Sequence, residues 1–400
     1  MITHQEALEK VLAHSQGFGT ISISLEQANG CILAEQVMAD RDFPPFDRVT
    51  KDGIAINFEA YHLGVRDVPI QEIAAAGSPQ KTLLNATACI EVMTGAMLPK
   101  GTDTVIMYEH LNIKDGTASI IKEVKKGQNI HIKGSDEPKG SLVLAAGIKI
   151  GSAEIGVLAS VGKAMVTVKK MPKACIVSTG DELVGVAEVP APYQIRKSNS
   201  YTLQSALKEQ GIPTNVVHIN DDKANTVKQL KQLLLDYDVL LLSGGVSKGK
   251  YDYLPEAFDA LGVKKVFHRV KQRPGKPFWF GRHETLATTI FAFPGNPAST
   301  FANYHIYFLP WLNQCTGLST KQEIQVLLNN DFDNPTDLTR FARAKVSAVS
   351  GRLHAQLIAG NGSGDLTSLT KSNGLLRFEP QKNYGKGSQV PFIPTRKPFL

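Results

Sequence analysis

Apolar residues at Ala7, Leu8, Val11 and Leu12 recur at the spacing of an amphipathic helix, so the chain is expected to open with one. From there to about residue 168 the pattern shortens. Residues 20–25, 88–93, 104–107 and 118–124 read as short strands. Turn residues separate them, at Pro44-Pro45, Asp52-Gly53, Lys114-Asp115-Gly116 and Lys139-Gly140. This region reads as one or two small β-rich modules. Residues 142–147 and 148–162 then read as strand, turn and small-residue helix.

At Lys173 the pattern changes again. Residues 174–177 form a buried-type strand that ends in Ser178-Thr179-Gly180-Asp181-Glu182. Asn199 or Ser200 is expected to cap a helix running to Gln210, with Leu203, Ala206 and Leu207 inward and Gly211 as its stop. A strand over 215–219 leads into Asn220-Asp221-Asp222, and a helix follows with Val227, Leu230, Leu233 and Leu234 inward. Residues 239–242 then run into a glycine turn, and a strand over 288–293 runs into Pro294-Gly-Asn-Pro297 and a helix from Ala298. Strands alternating with such helices predict a doubly wound, mostly parallel α/β sheet. Beyond about Thr320, residues 343–349, 352–358, 374–378 and 390–393 alternate as in a small all-β domain.

The chain has 400 residues, 42% of them hydrophobic and 20% charged. That is globular rather than disordered, and long enough for two to four domains at ~150 residues each. Cys31, Cys89, Cys175 and Cys315 are scattered, which disfavours a Cys-type zinc site and fits a reducing cytoplasm. No run of eighteen apolar residues predicts a membrane span, and the first sixteen residues lack the basic flank and apolar run of a signal peptide.

The net charge of +7 suits an anionic ligand, but its distribution says more. Between Ala260 and His283 lie Lys264, Lys265, Arg269, Lys271, Arg273, Lys276 and Arg282 with no acid among them. Like charges ~4 Å apart repel by ~4 kcal/mol at an effective dielectric of ~20. The stretch is read either as a solvated basic face or as the seat of an anion. Ligands of open α/β sheets bind beyond the carboxyl ends of the strands, and the informative loops sit there. Ser243-Gly-Gly-Val-Ser-Lys-Gly249 can nest an anion on backbone N–H groups or can be a plain turn, and it is neither a Walker loop nor GxGxxG. Pro294-Gly-Asn-Pro297 is either a rigid helix cap or an anion-facing one. Asp221, Asp222 and Asp252 can be caps, or can hold a hard cation beside phosphates. A phosphate-bearing substrate is the common thread.

The set Ser243-Gly-Gly-Val-Ser-Lys-Gly-Lys-Tyr-Asp-Tyr253, Arg273-Pro-Gly-Lys-Pro277 and Phe293-Pro-Gly-Asn-Pro-Ala-Ser299 resembles the molybdopterin molybdenumtransferase family, which includes MoeA and the E domain of gephyrin. Thr50-Lys-Asp-Gly-Ile-Ala55, Met93-Thr-Gly-Ala-Met-Leu-Pro99, Gly127-Gln-Asn-Ile130 and Ser178-Thr-Gly-Asp-Glu-Leu183 extend it upstream, in order over most of the chain. The resemblance implies an elongated homodimer of four-domain subunits. A doubly wound molybdopterin-binding domain would comprise residues 1–19 and 171–319. Residues 20–38 and 140–170 would connect and dimerise, residues 39–139 would form a mobile β-rich domain, and 320–400 a C-terminal β-barrel. It implies insertion of molybdenum from molybdate into adenylylated molybdopterin, with Mg²⁺ and with release of AMP. The partners implied are a second copy, a molybdopterin-adenylylating enzyme and molybdoenzyme acceptors, with no nucleic acid and no membrane.

On the matching positions the resemblance implies roles. Arg273, Lys276 and Ser299, with Arg269 nearby, would take molybdate. Gly244, Gly245, Ser247, Gly249, Pro294, Gly295, Asn296 and Pro297 would line the pterin-nucleotide site. Asp222 and Asp252 would hold Mg²⁺ at the phosphoanhydride. Asp52, Thr94, Asp136 and Glu182 would be polar groups of the cleft, Asp52 and Thr94 acting across the dimer. Departures from the family pattern cluster beside these positions: Lys51, Ser135 and Lys250 shift the local charge positive, His131 stands where Arg is common, and Arg273 replaces a common Lys. The other readings are an adenylyltransferase-like enzyme on the same α/β domain, against which the extra β modules argue, and a non-catalytic scaffold, against which Asp52, Asp222, Asp252 and Lys276 argue.

Overall fold

The computed structural model describes residues 1–220, 222–246, 253–318 and 323–396. The first helix is His4–Leu12, fixed by a capping box in which Glu6 N–H donates to the Thr3 hydroxyl and Thr3 N–H to the Glu6 carboxylate. Its buried residues Ala7 and Val11 enter the same core as Ile176, Phe291 and Trp311. A sequence-distant helix is thus fixed to the α/β sheet by its apolar stripe.

Thr20–Ser24 pairs antiparallel with Met165–Lys169, and Val37–Met38 with Leu142–Leu144. Together with Ser152–Ser160 they enclose a core of Leu33, Val37, Leu158 and Val166. Between these two returns of the chain, Gly53–Ile56, Asp67–Ala74, Cys89–Val92, Thr104–Met107, Leu111–Lys114 and Thr117–Ile120 form one six-stranded sheet. Asp52-Gly53, expected as a turn, instead leads straight into a central strand that pairs on both edges. A Cβ on Gly53 would overlap the Ile106 carbonyl oxygen, so the residue is glycine because two backbones meet there. The strand expected over 118–124 stops at Ile120.

The α/β sheet has six strands in the order Thr214–Ile219, Ala174–Thr179, Val239–Ser243, Thr288–Phe293, Trp279–His283, Lys264–His268. The first four are mutually parallel, Trp279–His283 runs antiparallel to them, and Lys264–His268 runs antiparallel to Trp279–His283. The central strands are buried along their whole length, as near-continuous apolar runs predict. Helices Ser198–Glu209, Lys223–Asp236, Leu254–Ala260 and Pro297–Asn303 accompany it. Leu254–Ala260 carries no sequence signal strong enough to have been expected. The helix expected to be capped by Asn199 or Ser200 starts at Ser198, with Lys197 at its cap and no side-chain capping bond. Asn199 is diverted to the site described below.

In the C-terminal region Thr339–Val349, Arg352–Leu357, Ile324–Leu328, Gln389–Pro394 and Gly374–Phe378 pair in that order, and the last closes on the first. This is a closed five-stranded barrel around Val346, Leu376, Phe378 and Phe392. Gln272–Arg273 of the α/β unit adds in parallel to the barrel's edge, with Arg273 beside Arg340.

Candidate active site

Because four strands of the α/β sheet run parallel, their carboxyl ends deliver Gly180–Glu182, Asn220 and Asp222, Gly244–Val246 and Pro294–Asn296 to one edge. A cavity of about 530 Å³ opens there between Asp181, Leu183, His218, Asn220 and Asp222. Asp222 caps the helix Lys223–Asp236, one carboxylate oxygen accepting from Asn225 N–H at 2.6 Å. The exposed Glu182 carboxylate lies over Gly180, where any Cβ would overlap it. Sequence reasoning missed His218. Its Nδ1 meets the Ser178 hydroxyl at 3.0 Å, and burial with help from Lys197 holds it below its ordinary pKa against the pull of Asp181 and Glu182.

Gly244 and Gly245 have φ of 101° and 69°, and a Cβ on them would press into Thr179 and Leu254. Only glycine fits this turn. Gly244 N–H donates to the Phe293 carbonyl at 3.1 Å, tying it to the next loop. Asn199 finishes the tie, its side-chain amide donating to Ser243 Oγ and to the Gly295 carbonyl, each at 2.7 Å. Asn296 donates to Ser363 Oγ at 2.9 Å and Ala298 N–H to the Ser363 carbonyl at 3.0 Å, so the barrel holds this loop from the far side. Pro297 is the first residue of Pro297–Asn303, and Ser299 is buried in its first turn. Ser247, Gly249, Asp221 and Asp252 lie outside the described residues.

The basic stretch divides. Arg282 is structural, donating to Gln16 Oε1 at 2.6 Å, and Lys271 reaches Asp337 of the barrel. Arg269, Arg273 and Lys276 sit on one loop with no carboxylate at ion-pair distance among the described residues. Arg269 has φ of 74°, a left-handed conformation uncommon for a side-chain-bearing residue. The barrel adds Arg340, half-buried, whose charge is disfavoured by burial and by Arg273. That cation was not legible, because only the ladder between distant segments brings it there.

The remaining residues form two groups in the N-terminal sheet region. Asp52 accepts from Thr94 N–H at 2.6 Å, and this bond to Thr94 holds the exposed carboxyl below its usual range. Tyr108 N–H donates to the Asp52 carbonyl, and its hydroxyl donates to Glu91 at 2.5 Å. Burial and Glu91 push that phenol up. Asp136 accepts from His131 Nε2 at 2.8 Å, while Arg48 donates to His131 Nδ1 at 3.1 Å. A guanidinium only donates, so His131 carries its proton on Nε2. The four thiols are free, and burial pushes Cys89 and Cys175 up to about 12 and Cys315 to about 11. Those three are not thiolates at neutral pH.

Three family descriptions match in order: the MoeA N-terminal region (domain I and II) over residues 2–162, a molybdopterin binding domain termed probable over 175–314, and the MoeA C-terminal region (domain IV) over 325–395. The molybdopterin molybdenumtransferase of Synechocystis is 38% identical over 397 residues, covering 98% of this chain and 99% of that one. The chain belongs to the molybdopterin molybdenumtransferase family. The enzyme of that name from Staphylococcus epidermidis is 30% identical, with 94% of this chain and 91% of its own length covered. A crystal structure titled as a molybdopterin biosynthesis MoeA protein from Pyrococcus horikoshii superposes with a TM-score of 0.83 at 26% identity, covering 99% of each chain. The crevice, the cation loop and the barrel contact therefore lie within one family architecture. No described helix is long and apolar enough to cross a membrane.

Proposed function

We propose that this transferase of molybdenum cofactor biosynthesis inserts molybdenum from molybdate into adenylylated molybdopterin and releases AMP, as a cytoplasmic homodimer. The observation that carries the reading is the carboxylate-free loop of Arg269, Arg273 and Lys276, in a chain with all three family regions. An oxyanion of charge −2 needs fixed cations and donors with no acceptor facing it, and Arg and Lys supply both. The helix Pro297–Asn303 joins this loop to the crevice: Asn296 precedes it at the crevice, and its last residue holds Gly275. The glycine turn and Asn199 would seat the pterin phosphates. Asp52, Thr94 and Asp136 would act on the partner's site. Exposed Met38 and Leu142, directly opposed on the paired strands Val37–Met38 and Leu142–Leu144, support a second copy as the occupant of that face.

Among the described residues, no three His, Cys, Asp or Glu side chains gather as metal ligands. Mg²⁺ needs less, since it is usually held by one or two carboxylates with substrate phosphates and water. Asp222, with one oxygen outside its capping bond and Asn220 beside the same cavity, fits that demand. Asp252 would be its companion. The ion would neutralise charge on the departing phosphate. A molybdopterin-adenylylating enzyme would supply the substrate, and molybdoenzymes would receive the product.

The test is single-turnover AMP release from adenylylated molybdopterin with Mg²⁺, with and without molybdate. Molybdate-stimulated release, with molybdenum retained on the pterin, is expected. Arg273→Ala should raise the molybdate requirement about tenfold and leave the nucleotide requirement within about twofold. Equal shifts would assign Arg273 to the phosphates, and no stimulated release would overturn the reading.

A further inference from the structure

Beneath the cation loop lies a chain of four buried polar side chains. His4, Gln272, Asn303 and Tyr307 are respectively 6%, 0%, 0% and 0% exposed. His4 Nδ1 meets Tyr307 Oη at 3.1 Å, and the Tyr307 hydroxyl meets Gln272 Oε1. Gln272 Nε2 reaches the Pro274 carbonyl at 3.0 Å and Asn303 Oδ1 at 2.8 Å, and Asn303 Nδ2 reaches the Gly275 carbonyl at 3.3 Å.

Every polarity in this chain is forced. Backbone carbonyls only accept, so both amide nitrogens face the loop. Gln272 Oε1 must then accept from the tyrosine hydroxyl, and the tyrosine oxygen must accept from a proton on His4 Nδ1. Burial, with Arg377 adding to it, lowers His4 to about 4, so the imidazole is neutral at physiological pH. A buried polar chain in an aromatic core is costly unless fully satisfied, and this one ends on the loop. Asn303 and Tyr307 are four residues apart where the helix Pro297–Asn303 passes into the π-helical turn Tyr304–Phe308. Such turns are frequent at functional sites.

The result is directional. Pro274 and Gly275 turn their carbonyls inward to Gln272 and Asn303, and Lys276 turns its own to Val270 N–H at 3.0 Å. Three successive acceptors are thereby removed from the outer face that carries the exposed Arg273 and Lys276. A Cβ on Gly275 would overlap Asn303 Oδ1 and crowd Gln272 Nε2, so the loop rests directly on the two amides.

We propose that Gln272, Asn303, Tyr307 and His4 are positioning residues for oxyanion binding. Through Gln272 and Asn303 they hold the Pro274 and Gly275 carbonyls inward, next to the Lys276 carbonyl that Val270 N–H holds, so that the outer face of the loop presents its cations to a tetrahedral oxyanion. This deepens the molybdate reading above and rests on it.

The test is calorimetric titration of the pterin-free protein with sodium molybdate, alongside single-turnover AMP release. Gln272→Met, which keeps the shape and removes both polar ends, should weaken molybdate about tenfold, and Tyr307→Phe at least about threefold. The nucleotide requirement should stay within about twofold of the parent in both. On an Arg273→Ala, Lys276→Ala background, Gln272→Met should add nothing, since the loop it orients has lost its cations. A folded Gln272→Met with wild-type molybdate affinity, or one that weakens both background and parent equally, overturns the proposal. If Gln272→Met does not fold, Tyr307→Phe decides by the same criteria. Should wild-type protein bind no molybdate, or Arg273→Ala, Lys276→Ala bind it normally, the functional reading itself fails. If those behave as expected and the buried variants do not, only the positioning role fails.

Discussion

His4 shows how a single buried group couples the N-terminal helix to pH. Unfolded, its imidazole takes a proton near 6.5, whereas burial, reinforced by Arg377, lowers the folded value to about 4. Between those values the unfolded chain binds more protons than the folded one, so stability declines as pH falls from 6.5 to 4 and no further below. The full loss is about 3 kcal/mol. His4→Gln, which keeps a donor for Tyr307, should lower the unfolding midpoint slightly at pH 7 and flatten its decline towards pH 4.5. Parallel midpoint-against-pH curves for parent and variant would show that the acid sensitivity lies elsewhere. Asp52 works with the same sign, because its folded pKa is also lowered. Its carboxyl is held down by Thr94 N–H, so that bond is present above the ordinary carboxylate range and lost as pH falls through the lowered value.

At the scale of elements, a strand and a pair of loops are set by residues whose side chains or lack of them decide the backbone. Gly53→Ala forces a Cβ into the Ile106 carbonyl at the start of a doubly paired strand. It should cost about 3 kcal/mol, the upper range of overpacking, and open the amides of Gly53–Ile56 to hydrogen exchange. Wild-type exchange there would mean the strands can separate at little cost. Asn199→Ala removes two bonds that join the Ser243 and Gly295 loops. It should cost about 1–3 kcal/mol and raise the nucleotide requirement more than the molybdate requirement, read in the AMP-release assay. These elements also show what a sequence discloses. Alternating strands and helices, glycine turns and the Pro294-Gly-Asn-Pro297 cap are local chemistry, and they were legible. Asn199 was read as a helix cap because Asn before an apolar stripe usually is one, but its amide is drawn off by loops forty-four and ninety-six residues away. His4, Gln272, Asn303, Tyr307 and Arg340 were not legible at all. They are unremarkable types at scattered positions, and only the fold makes them neighbours.

For the whole molecule, the groups divide in a way that a dimer would use. Asp52 and Thr94 bond to each other, and Asp52 and Tyr108 share a backbone bond, all within the six-strand sheet region. The cation loop is fixed instead by the α/β core and the barrel. If the proposed dimer brings Asp52 of one subunit to the cation loop of the other, each defect can be supplied in trans. Asp52→Asn and Lys276→Ala should each be inactive as homodimers. Co-refolded in equal amounts, half the dimers are mixed, and each mixed dimer has one site with both residues intact. Activity should therefore return to about a quarter of wild type. Mixing the folded variants without subunit exchange should restore nothing until exchange occurs, and the recovery should follow exchange in time. If both residues served the same subunit's site, every site in the mixture would carry one defect, and no ratio of the two variants would recover activity.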